Sequence, residues 1–214
     1  MIRPTNAADI SSLSQCKKLY LGTNNRKKII ELVHLLEPRG FEIKVPSDFP
    51  DVYDVDETGK TFLENARLKA ISQARHRGLW AIGEDSGLCV PALGGRPGIY
   101  SARFSGPTAN DESNNALLLK EMQSVHKDQR RAYYVSTIAL SDPDGGIYIE
   151  TNGECWGRIL TEPRGQGGFG YDPLFEIEEY HQTFAEMGLG VKRAISHRAR
   201  ALRAFLKCLD ELVT

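Results

Sequence analysis

The chain has 214 residues with 27 basic and 28 acidic side chains, so it is long enough to bury a core and nearly neutral overall. No basic stripe or charge block offers itself to a nucleic-acid polymer or a membrane surface, and any phosphate ligand must be held by a local pocket. The four cysteines, Cys16, Cys89, Cys155 and Cys208, are isolated; this favours free thiols in a reducing cytoplasm, and no apolar run approaches the roughly 20 residues of a membrane span.

Residues 1–16 are polar and lack the apolar region of a signal peptide, and they read as a flexible extension before a single domain over 17–214. Lys18 to Gly22 reads as a short strand. Ile29, Leu32, Val33 and Leu36 then recur at helical spacing until Pro38-Arg-Gly40 stops them. Thr61-Phe-Leu-Glu64 fits a capping box for a second helix, with Leu63, Ala66, Ala70 and Ala74 on its apolar face and Gly78 at its end. Leu79 to Gly83 reads as a buried strand ending at Glu84-Asp85, and a third helix spans 110–124 behind Asn110 or Asp111.

Beyond this point strands dominate. Ala132–Leu140 and Ile147–Ile159 flank the turn Asp142-Pro-Asp-Gly-Gly146, and a last helix aligns Leu202, Phe205, Leu206, Leu209 and Leu212. The order predicts an α/β fold: a mixed central sheet flanked by helices, in two lobes with a nucleotide-binding cleft between them.

Five short segments carry the chemistry. Thr23-Asn24-Asn25-Arg26-Lys27-Lys28 lies where a strand feeds a helix, and free N–H groups with the helix dipole favour an anion there. The G-x-x-x-x-G-K spacing of a Walker loop is absent. The acidic doublets Asp56-Glu57 and Glu84-Asp85 supply oxygen donors of the kind Mg²⁺ takes from a protein, and a carboxylate beside such a metal can deprotonate a water. Asp56-Glu57 also suits a solvated acidic turn, whereas small and apolar neighbours surround Glu84-Asp85.

Residues 164–173, RGQGGFGYDP, place four glycines, Phe169, Tyr171 and Asp172 in one loop. Glycine lets the backbone approach a ligand, either aromatic ring offers a base to stack on, and Asp172 offers an acceptor to a ring N–H. Gly165, Gly167 and Gly170 spell G-x-G-x-x-G, but Thr-Glu-Pro precedes the loop and Asp172-Pro173 follows it, which disfavours the strand–loop–helix of a dinucleotide fold. Ser196-His197-Arg198 opens the final helix with Lys192 four residues before Ser196. Ser196 suits an N-cap, and His197 and Arg198 are donors for a carbonyl or a phosphate. No G-x-S-x-G elbow supports a Ser-His hydrolase.

Taken in order, these segments resemble the inosine triphosphate pyrophosphatase family. The resemblance runs from Lys18 to Leu206 and rests on T-x-N-x-x-K (Thr23, Asn25, Lys28), ETGKTFLENA (57–66), EDSGL (84–88), LGGRPGIYSARF (93–104), GGFGYDP (167–173), TFAEM (183–187) and K-x-x-x-S-H-R (192–198). It implies Mg²⁺-dependent cleavage of ITP, dITP or XTP between the α and β phosphates, in a cytoplasmic homodimer. By the same resemblance Asp85 binds metal and acts as general base, with Glu57, Asp56 or Glu84 as further metal carboxylates. Thr23, Asn25, Lys28 and Ser86 would hold the triphosphate. Phe169, Gly170, Tyr171 and Asp172, with Lys192, His197 and Arg198, would receive the base and its nearby phosphate or sugar.

This chain departs from the family in having Glu84-Asp85 for the frequent Asp-Asp, Thr23-Asn24-Asn25 for the usual Thr-Gly-Asn, and a non-acidic Gly188-Leu-Gly-Val191. A Maf-like pyrophosphatase acting on modified pyrimidine or ordinary dNTPs, and a nucleotide-binding sensor without catalysis, are the alternatives. Retention of Asp85, Glu57 and Lys28 argues for a catalyst over a sensor.

Overall fold

Two polypeptide stretches pair with the first strand in parallel, and the rest of the sheet is built on that start. The computed structural model describes residues 13–14, 17–23, 25–51 and 53–213. Most of the expected N-terminal extension, Cys16 and Asn24 therefore lie outside the described residues. Strands β1 (Lys18–Leu21), β2 (Glu42–Lys44), β3 (Trp80–Cys89), β4 (Arg131–Ser141), β5 (Ile147–Ile159), β6 (Phe175–Ile177) and β7 (Gln182–Thr183) form a seven-stranded sheet in the order β2-β1-β3-β4-β5-β6-β7. β1 runs parallel to β2 and β3, whereas β6 is antiparallel to β5 and β7. The sheet is mixed and open, as an α/β reading requires.

The helices are α1 (Arg26–Leu36), α2 (Phe62–Arg77), α3 (Asp111–Glu121), α4 (Leu189–Ile195) and α5 (His197–Val213). Thr61 caps α2 by accepting from the Glu64 amide at 3.1 Å, a bond of about 1 kcal/mol. The carboxylate of Glu64 accepts from the Lys60 amide at 2.6 Å, one residue outside the cap expected for a capping box. Gly78 ends the helix at φ 61°, a left-handed conformation that a side chain disfavours. Asn110 is the cap of α3, and its side chain accepts from the Ser113 amide. None of the helices among the described residues is long and apolar enough to cross a membrane.

The chain divides into two units. The first comprises 1–85, 137–152 and 201–214. Its core joins Leu19, Leu21, Leu32, Leu36, Trp80 and Ile82 to the expected α5 stripe of Leu202, Phe205, Leu206 and Leu209, and Leu13 is buried with them. The second comprises 86–136 and 153–200, with a core that includes Leu88, Leu118, Met122, Tyr134, Phe175 and Phe184. Arg130 is buried there, and its guanidinium donates to the carbonyls of Ile159, Met122 and Leu160 at 2.7–2.8 Å.

One boundary differs from the sequence reading. β3 does not end at the acidic doublet but continues through it to Cys89, with Glu84 and Asp85 mid-strand and buried. Gly87-Leu-Cys-Val offers enough apolar burial to extend the strand, and partners distant in sequence neutralise the two charges.

Candidate active site

In the first unit, one face of α2 assembles the acidic cluster. Asn65, Lys69 and Gln73 recur every four residues and therefore share that face. Lys69 Nζ lies 2.9 Å from Asp85 Oδ1, 2.8 Å from Glu57 Oε1 and 3.2 Å from the Glu84 carbonyl. Asn65 has no exposed surface; its Nδ2 donates to Asp85 Oδ2 at 3.2 Å and its Oδ1 accepts from the Gly59 amide at 2.8 Å. One side chain thus ties the segment carrying Glu57 to the strand carrying Asp85. Close packing fixes the spacing, since a Cβ on Gly83 would lie 2.2 Å from the Ala66 carbonyl oxygen and 2.5 Å from the Ala70 nitrogen.

Burial raises Asp85 above its ordinary value; the Lys69 charge pulls the other way and does not cancel it, and the Glu57 charge adds to the rise. Lys69 is also raised, because the attractions of Asp85 and Glu57 together exceed the lowering by burial. Both shifts favour the proton on this pair, and Asp85 is a stronger base than a solvated carboxylate. Glu84 pairs instead with Lys28 at 3.5 Å. Asp56 is exposed, while its neighbour Glu57 is half-buried.

The β1–α1 turn gathers the other expected groups of this unit. Asn25 caps α1 by accepting from the Lys28 amide at 3.3 Å, and Thr23 Oγ1 accepts from the Asn25 amide at 3.1 Å. Lys28 is thereby set on the first turn of the helix with its ammonium toward Glu84. Ser86, the next residue along β3 after Asp85, is half-buried in the second unit.

In the second unit, the glycine loop is braced from inside. Asp172 is buried and accepts from the Phe169 amide at 2.8 Å and from the Lys192 ammonium. Lys192 lies 4.2 Å above the Phe169 ring centroid. The two loop aromatics have different fates. Phe169 stays half-buried, whereas Tyr171 turns its ring into the core and donates its hydroxyl to the Ser101 carbonyl at 2.8 Å. Burial pushes the Tyr171 phenol well above its ordinary range.

Gly170, at φ 61°, is held on both sides, through the peptide before it and the peptide after it. Its amide donates to Asp111 Oδ2 at 2.7 Å and its carbonyl accepts from Asn115 Nδ2 at 2.8 Å. His197 is buried and stacks on Tyr134 at 4.7 Å between centroids, and Arg198 is buried beside it on the first turn of α5. Ser196 fulfils the capping role, accepting from the Ala199 amide at 3.2 Å.

The structure adds Lys69, Asn65 and Asn115 to the residues singled out by sequence, and gives Asp111, read there only as a possible helix cap, a bond to the glycine loop. The run E-N-x-x-x-K from Glu64 to Lys69, an amide and a cation one helical turn apart, is the signal that points to the first pair. The donor set of Asp85, Glu57 and Glu84 is all oxygen, which suits a hard cation. Among the described residues no three His, Cys, Asp or Glu side chains converge as a ready-made cage. Such a set fits Mg²⁺, which commonly takes one or two protein carboxylates and completes its shell with water and substrate phosphates.

Known proteins agree with this architecture. The chain is 50% identical over 195 residues to a dITP/XTP pyrophosphatase of Rhodopirellula baltica, covering 91% of this chain and 94% of that protein. A dITP/XTP pyrophosphatase of Geobacter sulfurreducens is 50% identical over 190 residues, covering 89% and 94%. Among solved structures, a HAM1 protein from Coxiella burnetii superposes with a TM-score of 0.85 at 35% identity, covering 91% of this chain and 98% of that one. A nucleoside-triphosphatase / dITP/XTP pyrophosphatase from Mycobacterium abscessus gives a TM-score of 0.76 at 40% identity, covering 90% and 99%. Residues 19–208 match the model of the Ham1 family, and with relatives of this identity along nearly its whole length the chain belongs to that family.

Proposed function

We propose that the chain hydrolyses the non-standard purine nucleoside triphosphates ITP, dITP and XTP to the monophosphate and pyrophosphate, with Mg²⁺ as the metal. The observation that carries this reading is the Asp85–Lys69–Glu57 cluster held by Asn65, in a chain whose relatives bear the name dITP/XTP pyrophosphatase. Asp85, Glu57 and Glu84 would hold the metal; exposed Asp56 is the weaker candidate. When bound, Mg²⁺ supplies positive charge to the phosphate oxygens, which lowers the repulsion felt by an incoming nucleophile.

The protein's own groups do the rest. The Asp85 carboxylate takes a proton from a water as the water oxygen bonds to the α-phosphorus. The bond from that phosphorus to the bridging oxygen breaks, and pyrophosphate leaves. Burial raises Asp85 before any metal is bound, whereas a cation held by the same carboxylate would lower it. Lys69 and Asn65 orient the carboxylate. Thr23, Asn25, Lys28 and the α1 N-terminus receive the phosphates, where positioning and charge dominate catalysis. Ser86 adds a hydroxyl.

For the base, Phe169 offers a ring face, Gly170 its restrained peptide, and Lys192, His197 and Arg198 their donors. A donor aimed at the 6-oxo group of hypoxanthine or xanthine meets an amino group in adenine, and hydrogen-bond sites of that kind discriminate by roughly 10⁴–10⁵. Tyr171 and Asp172 then serve by holding the loop in shape. The family resemblance extends the proposal to a homodimer in the cytoplasm, which light scattering and fractionation test.

The deciding experiment is pyrophosphate release from ITP, dITP, XTP, GTP, ATP and dTTP with and without Mg²⁺. Metal-dependent release from the first three supports the reading. Broad release removes the specificity, release from dTTP favours a Maf-like activity, and binding without release makes the chain a sensor.

A further inference from the structure

Gln73 is the third residue on the α2 face that carries Asn65 and Lys69, and no motif singles it out. It is 5% exposed, and its Nε2 donates to the Gly22 carbonyl at 3.0 Å, immediately before Thr23. Its Oε1 is buried without a hydrogen-bond partner among the described residues. The amide fills the space where a side chain at position 22 would stand: a Cβ built on Gly22 would lie 1.2 Å from Oε1 and 1.8 Å from Cδ.

Packing alone does not account for this choice. Leucine or methionine would fill a similar volume without a buried, unbonded acceptor, and such acceptors are costly. The amide's distinctive contribution is its donor, which fixes the peptide entering the turn whose Thr23 and Asn25 side chains organise the α1 N-terminus. Gly22 is the complementary half, because any side chain there would displace the amide.

We propose that Gln73 is a positioning residue for the phosphate-holding turn, setting affinity for the triphosphate through the Gly22 carbonyl. This rests on the reading of the β1–α1 turn as the triphosphate site. Through one helix face, the same helix then holds Asp85, Glu57 and the phosphate turn in register.

The test compares wild type with Gln73→Met, Gln73→Glu, Gly22→Ala and the Gly22→Ala/Gln73→Met double variant. The readouts are KM and kcat for ITP, calorimetric binding of inorganic tripolyphosphate, and melting temperature. Gln73→Met should raise KM and weaken tripolyphosphate binding by about tenfold while kcat moves far less. Gly22→Ala should match it, and the double variant should lose no more than either single one, because both remove the same bond.

Gln73→Glu should bind poorly while ionised and recover toward wild type as acid restores a donor to the carboxyl, a pH dependence that a packing role does not produce. Unaltered KM and tripolyphosphate affinity in Gln73→Met would overturn the proposal. So would losses that follow melting temperature alone, with Gln73→Glu keeping the wild-type pH profile. If wild-type protein hydrolyses ITP yet the variants bind equally well, only the role of Gln73 fails. If wild type neither binds tripolyphosphate nor hydrolyses ITP, the reading of the turn fails and takes this proposal with it.

Discussion

Lys69 and Asp85 meet at 2.9 Å, with only 15% and 9% of their side chains exposed. A charge-assisted hydrogen bond in so dry a place holds its geometry, and removing Lys69 leaves Asp85 as a buried charge without its cation. The same ammonium also serves Glu57, so Lys69 stabilises the cluster and orients the proposed base at once.

Asp85→Asn should lower pyrophosphate release from ITP by about 10²–10⁴ while leaving nucleotide binding within a few fold. Steady-state kinetics beside equilibrium binding check this. Parallel loss of binding would assign Asp85 to metal-dependent affinity in place of proton transfer.

Lys69→Met should cost about 3–5 kcal/mol of stability, because two carboxylates lose their shared cation. Adding Asp85→Asn to that variant should restore part of the loss. Urea unfolding of the single and double variants measures it; a double variant less stable than Lys69→Met would contradict the pairing.

Chelation should abolish turnover without lowering the melting temperature. Lys69 already compensates the carboxylates, so the fold should not depend on the proposed metal. A marked drop in melting temperature with EDTA would reveal a resident structural ion.

Asp111→Ala and Asn115→Ala each remove one of the two hydrogen bonds that hold the Gly170 backbone. Each should raise KM for ITP about three- to tenfold with little change in kcat. Arg198→Ala should reduce ITP hydrolysis more than residual ATP hydrolysis, and equal losses would remove it from base recognition.

Burial pushes the Cys155 thiol from 9.0 to about 11. The folded state therefore keeps the neutral thiol longer than the unfolded chain does. Its contribution is complete below pH 9 and lost as pH rises toward about 11. Melting temperatures across that window should fall less steeply for Cys155→Ala, by the equivalent of about 1–2 kcal/mol at the alkaline end. Tyr133, pushed up to about 12 by burial, contributes separately and should leave a residual slope.

Elements with strong local signals were legible in the sequence. β1, the Thr61 cap, the hairpin around Asp142 and the leucine stripe of α5 all follow from neighbours a few residues apart. β2, β6 and β7 are short and owe their existence to sheet partners, so no period announces them. The Glu84-Asp85 doublet masked the continuation of β3 because Lys28 and Lys69, which neutralise it, come from other elements. Lys69 and Gln73 look like ordinary polar positions of an exposed helix until the strand beneath them is in place. The ring of Phe169 and that of Tyr171 read alike in sequence; only the Ser101 carbonyl separates their roles.

Gly83 narrows the routes open to evolution at this site. The distance from α2 to the strand bearing Asp85 is set by a missing methyl group, with backbone atoms as the wall. No rearrangement of surrounding side chains can make room for one. A lineage that acquired alanine there would have to shift a whole helix, carrying Asn65, Lys69 and Gln73 away from their targets together. Drift in this protein should therefore accumulate around the proposed reaction centre, in the features that would choose the nucleotide, long before it alters the spacing of the Asp85 cluster.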